Sequence, residues 1–88
     1  MNFEVSPDLK KDLKKIKNRN KSLSQKIEKQ LLLFNSNHLH PSLRTHKLSG
    51  HDNVWSISID KSVRMLYKLD ESNAYFFDIG THEQVYKR

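Results

Sequence analysis

The spacing of apolar residues changes period between the middle and the end of this chain, and that change limits the folds open to it. Between residues 9 and 34 they recur three and four apart: Leu9, Leu13 and Ile16, then Leu23, Ile27, Leu31 and Phe34. This is the repeat of helices with one buried face. From residue 54 the repeat is two. Trp55, Ile57 and Ile59 alternate with Ser56 and Ser58, and Val63, Met65 and Tyr67 alternate with Arg64 and its neighbours. Alternation of this kind belongs to half-buried strands. Two helices followed by a run of strands predict an α+β domain, with both helices packed on one face of a small, twisted, mainly antiparallel sheet.

Local signals set the boundaries. "MNFEVS" alternates Phe3 and Val5 with polar neighbours and predicts a short first strand. Ser6 is a good N-cap, Pro7 a good first helical residue, and Asp8 adds negative charge to the first turn. Ser22 and Gln25 have capping-box spacing, which predicts a second helix opening at "SLSQ". Leu32 and Leu33 widen its apolar stripe and predict deep burial and contact with another chain. Strands are then expected in "LRTHKLSG", "VWSISID", "SVRMLYKL" and "AYFFDIG", the last three joined by tight turns at Asp60 and Lys61 and at Asp70 to Asn73. Trp55 is assigned to the core, and the sheet face away from the helices is left open. Residues 1–88 read as a single domain without repeat or linker.

At 88 residues the chain is near the lower limit for one self-sufficient core. It has no cysteine, so neither a disulfide nor a thiolate metal site is available. No apolar run has the length of a signal or transmembrane segment, so a cytoplasmic protein without membrane contact is expected. Sixteen Lys and Arg against ten Asp and Glu give a net charge of +6. Lys10, Lys11, Lys14, Lys15 and Lys17 crowd one helix. Such an excess points to a polyanionic partner: nucleic acid, an acidic protein or an anionic membrane face.

The five histidines suggest metal binding first. No helical His-x-x-x-His pair exists, and no metal site or other cofactor is expected. Cutting RNA needs none, because the 2'-hydroxyl attacks the adjacent phosphorus. Two proton-transfer groups and some fixed cations suffice, and histidine titrates in the right range. The chain offers such a set near strand ends: His46, Arg64, His82 and Tyr86, with Arg44, Lys47, Lys68, Lys87 and Arg88 as cations for RNA. Strand phase puts Arg64 and Lys68 on the open face, and a turn at Gly80 and Thr81 would bring His82 and Tyr86 back over it. Each also has an ordinary alternative. His82 can cap a turn, Tyr86 can plug the core, Arg64 can pair with Asp78, and Lys47 can be a solvated charge.

"HPSLRTHKLSG", "WSISIDKSVRMLYK" and "FFDIGTHEQVYKR" resemble the C-terminal half of the RelE/ParE superfamily of type II toxins, in particular its RelE/StbE and YafQ-like branch. The N-terminal strand and helical pair fit the same layout. The resemblance implies an mRNA interferase that needs no metal, cleaves message in the ribosomal A site and is silenced by a cognate antitoxin. It nominates His46 with Lys47 beside it, Arg64 for phosphate, His82 for proton transfer, and Tyr86 to orient a base or assist that transfer. The antitoxin is expected to wrap the lysine-rich helix and displace "EQVYKR", and operator DNA is expected to be met only through it. RelE uses lysines, arginines and a tyrosine where this chain has histidines. The YafQ branch has a further His and Asp where Ser58 and Ser62 stand here, so which histidine is base and which is acid stays open. Two other readings of the same fold are a ParE-like, non-enzymatic gyrase inhibitor and an inactive relative acting with its antitoxin in autorepression.

Overall fold

Ser6 ends the first strand and starts the first helix. Its backbone N–H donates to the carbonyl of Phe76 at 2.8 Å, while its hydroxyl accepts from the N–H of Leu9 at 3.1 Å. In the computed structural model, which describes residues 1–86, strand β1 (Asn2–Val5) is followed by helix α1 (Pro7–Arg19) and helix α2 (Lys21–Ser36). A 3-10 turn (Pro41–Leu43) leads to strands β2 (His46–Lys47), β3 (Val54–Ser58), β4 (Val63–Asp70) and β5 (Asn73–Thr81), and a short helix α3 (His82–Tyr86) follows. The sheet order is β1-β5-β4-β3-β2. Only the β1–β5 pair is parallel; β2 to β5 form an antiparallel meander.

The second helix opens two residues earlier than the capping box predicts. Asn20, not Ser22, is the N-cap: its side-chain oxygen accepts from Leu23 N at 3.1 Å. Asn20 also ends α1 by donating its own N–H to Ile16 O. One asparagine, whose short amide bonds readily to nearby backbone, therefore makes the whole corner. The widened stripe is also corrected. Ile27 and Phe34 are buried and Leu33 is half-buried, but Leu32 is 66% exposed. It lies one step beyond the arc that the sheet covers. The strand expected from "LRTHKLSG" shrinks to His46–Lys47, because Arg44 turns left-handed and Leu48 leads into the next turn.

Leu9, Ile27 and Phe34 from the helices meet Ile57, Met65, Tyr67 and Phe76 from the sheet. Four aromatic rings lock this layer. Phe76 meets Phe3, Phe34 and Tyr67 with centroids 5.6, 5.2 and 5.1 Å away. Each contact of this sort adds about 0.5–1.5 kcal/mol beyond area burial. Phe76 and Ile79 are three apart, so strict alternation would send them to opposite faces. A bulge resolves this: Leu66 pairs with Asp78 and Tyr67 with Phe76, leaving Phe77 without a partner across the strand. The extra residue resets the phase and keeps both side chains in the core. Trp55 is half-buried at the margin of this core rather than inside it, because β2 and β3 form the sheet's edge.

The face opposite the helices is not fully open. Val85 of α3 is buried against Leu48 and Leu66, with Val54 and Tyr86 packed beside them. Thr81 and Gln84 start this helix reciprocally, since Gln84 N donates to Thr81 Oγ1 at 3.2 Å and Thr81 N to Gln84 Oε1 at 2.9 Å. Gly80 permits the approach: a Cβ there would sit 2.9 Å from Gln84 Oε1.

Candidate active site

Arg64 occupies the polar phase of β4, opposite Ser58. It is only 8% exposed. Its Nε donates to Ser56 Oγ at 3.0 Å, and Nη2 donates to Arg44 O at 2.6 Å and to Ser56 O at 3.3 Å. None of these acceptors is a carboxylate. Among the described residues its acceptors are all neutral oxygens, and removing a charge from water without a counter-charge is costly. Arg44 supplies its carbonyl from a left-handed conformation, φ 43°, at the end of the 3-10 turn. That geometry costs a non-glycine residue about 1–2 kcal/mol.

Arg64 lies at the wall of a cleft of 280 Å³, which Arg44, Lys61, His82, Gln30 and Asp60 also line. Gln30, almost buried on α2, ties the walls together by donating to Ser58 O at 2.9 Å and Ser42 O at 3.4 Å. Asp60 makes the β3–β4 turn: its Oδ1 accepts from Ser62 N at 2.9 Å and Val63 N at 2.8 Å. The Ser62 N–H chiefly, with Val63 N–H and Lys26 3.9 Å away, holds its carboxyl below the usual value of 3.8 against a smaller effect of burial.

His82 opens α3 and is exposed; its ring meets Tyr86, one helical turn on, edge to face at 4.2 Å. The Tyr86 hydroxyl lies 2.6 Å from Ser56 Oγ. A continuous line therefore runs from Arg64 through Ser56 and Tyr86 to His82. His46 is the register partner of Ser56 on the exposed edge strand, which puts its side chain on the same sheet face.

The other sequence candidates separate. Arg44 shares the cleft. Lys47 follows His46 by one residue and so takes the opposite face, with its ammonium 6.0 Å from the centre of the Trp55 ring. Lys68 keeps the phase of Arg64 but lies four residues along β4, roughly 13 Å away at strand rise, paired with Val54 and Tyr75. Lys87 and Arg88 lie outside the described residues. Residues that sequence reasoning missed are Ser56, Gln30 and Lys61. A buried serine on the polar phase of a strand needs a partner, and that was the available signal for Ser56. Likewise Thr81 and Gln84 carry capping-box spacing, which marks α3. Among the described residues no three His, Cys, Asp or Glu side chains converge as a metal site, and no helix is long and apolar enough to cross a membrane.

A helical hairpin packed on one face of a five-stranded, mainly antiparallel sheet is the fold of the solved YafQ and YoeB toxins. Residues 1–87 match the family described as bacterial toxin of type II toxin-antitoxin system, YafQ. The chain belongs to that family. The RelE4 protein of Methanocaldococcus jannaschii is 31% identical over 88 residues, covering 98% of this chain and 90% of its own. The fold is shared with a chain of the E. coli DinJ-YafQ complex, at 24% identity and TM-score 0.76 over 97% of both chains. It is also shared with the YoeB dimer of Staphylococcus aureus, at 24% identity and TM-score 0.76 over 93% of this chain and 97% of that one.

Proposed function

We propose that this toxin is a metal-independent endoribonuclease that cleaves mRNA on the ribosome by attack of the RNA's own 2'-hydroxyl. The observation that carries this reading is the charge of Arg64, buried with no carboxylate partner among the described residues, at a cleft lined by Arg44, Lys61 and His82. Such a site favours a phosphate whose negative charge increases as the reaction proceeds. His82 is the leading proton-transfer group, Tyr86 and His46 lie on the same face, and Arg64 holds the phosphate. Lys61 extends the cationic wall toward neighbouring phosphates.

A cognate antitoxin restrains the activity. Solved relatives are complexes of YafQ with DinJ and of YoeB with YefM. On this chain a groove of 420 Å³ runs between the helices, floored by Leu13, Ile27 and Leu31 and edged by Lys14 and Lys17. An amphipathic acidic segment suits it.

The decisive experiment incubates purified protein with translating ribosomes and maps RNA 5' ends, wild type beside His82→Ala. New ends carrying upstream cyclic phosphate or 3'-phosphate, lost in the variant, are expected. Intact message with the wild type would overturn the reading. Growth arrest that persists in His82→Ala together with DNA damage would favour gyrase inhibition instead.

A further inference from the structure

The hydroxyl of Ser56 is fully buried, yet two groups of the site meet on it. Arg64 Nε approaches at 3.0 Å and the Tyr86 hydroxyl at 2.6 Å. Only one direction of the second bond satisfies the buried Ser56 proton. An arginine Nε can only donate, so Ser56 Oγ accepts from it. Were Tyr86 to donate as well, the Ser56 proton would stay buried with no acceptor among the described residues, an arrangement native structures avoid. With Ser56 donating to the phenol oxygen, that proton is satisfied. The proton of Tyr86 is then free to point away from the sheet, at the half-buried end of a ring that His82 steadies.

Resting on the ribonuclease reading, we propose that Ser56 is a positioning residue, whose buried hydroxyl, fixed by Arg64, donates to the Tyr86 oxygen and so presents Tyr86 as the proton donor to the departing 5'-oxygen. The 2'-oxygen bonds to phosphorus as its proton passes to an imidazole of the site. The bond from phosphorus to the 5'-oxygen breaks, its electron pair stays on that oxygen, and the phenol proton moves there. Ser56 O–H holds the resulting phenolate until water returns a proton, and the imidazolium releases one. The positive charge of Arg64 polarises the chain in the direction that the transfer requires.

The test measures single-turnover cleavage of ribosome-bound message by wild type, Ser56→Ala, Ser56→Thr, Tyr86→Phe and the Ser56→Ala/Tyr86→Phe double variant, each with its melting temperature. Proton transfer contributes about 10²–10⁴ in rate, so Tyr86→Phe should be slower by about 10² or more. Ser56→Ala should lose at least about tenfold in maximal rate with its half-saturating concentration unchanged. Ser56→Thr, which restores the hydroxyl, should recover most of the rate. The double variant should be no slower than Tyr86→Phe, because Ser56 acts through that phenol. Losses that multiply in the double variant, or full rate in Ser56→Ala while wild type is active, would overturn the positioning role alone. A wild type that leaves ribosome-bound message intact would overturn the ribonuclease reading beneath it. If Ser56→Ala melts below the assay temperature, Ser56→Cys takes its place: an intermediate loss is expected, and wild-type rate would count against the proposal.

Discussion

Tyr67 and Arg64 stand three apart on β4, on opposite faces, and burial acts on them in different ways. Tyr67 is 4% exposed among aromatic rings, and burial pushes its phenol up to about 12 from an ordinary 10.0. A raised folded value keeps the proton on the native phenol while the unfolded chain ionises. Stability is thus intact below pH 10 and falls as pH rises from 10 toward 12. Two pH units correspond to an upper limit of about 2–3 kcal/mol. Urea midpoints at pH 9 and pH 11 should show the decline in wild type and a clearly smaller one in Tyr67→Phe. Replacing Arg64 tests geometry instead. Arg64→Lys keeps the charge but loses the fork that reaches Ser56 and Arg44 together, so cleavage should fall by about 10² or more, the effect of removing one preorganised donor. Alternation alone placed both side chains on their faces. It could not reveal that Arg64 bonds a backbone carbonyl, since that depends on Arg44 adopting a left-handed conformation that no spacing pattern encodes.

α3 was hidden for a related reason: five residues give no helical period to see. Its evidence in the sequence was reciprocal capping by Thr81 and Gln84, a signal two residues long. The second helix shows the converse, because Ser22 and Gln25 had the right spacing while Asn20, already at the corner, took the cap. Both cases turn on which side chain reaches an unpaired N–H first, and that depends on the path of the preceding backbone. α3 carries His82 and Tyr86, yet Val85 is its only fully buried apolar contact. Val85→Ala should therefore destabilise the protein by about 2 kcal/mol through the cavity left beside Leu48 and Leu66. Cleavage should fall further than the folded fraction explains, because the helix that positions two site residues would detach before the sheet unfolds. Hydrogen exchange of the α3 amides, accelerated while those of β4 stay protected, would verify this; equal acceleration in both would count against it.

Across the whole molecule, an excess of six positive charges weakens the free protein, and so does a guanidinium buried with no counter-ion among the described residues. Charge imbalance was legible from composition. Its division between a helical lysine stripe and the cleft beside Arg64 was not, because only the folded topology separates them. The two regions make different predictions about anion binding. A 2'-O-methylated single-stranded RNA lacks the attacking hydroxyl and so can bind without being cut. Present at a hundredfold excess over its Kd, it should stabilise the native state by about 2.7 kcal/mol, a rise in melting temperature on the order of 10 °C for a domain of this size. Raising salt from about 50 to about 200 mM should remove most of the effect, as release of condensed counterions requires. If the cleft is the seat, Arg64→Gln should abolish most of the rise, whereas Lys10→Gln with Lys14→Gln should leave most of it in place. The reverse pattern would assign the polyanion to the helical stripe and remove the cleft from RNA recognition.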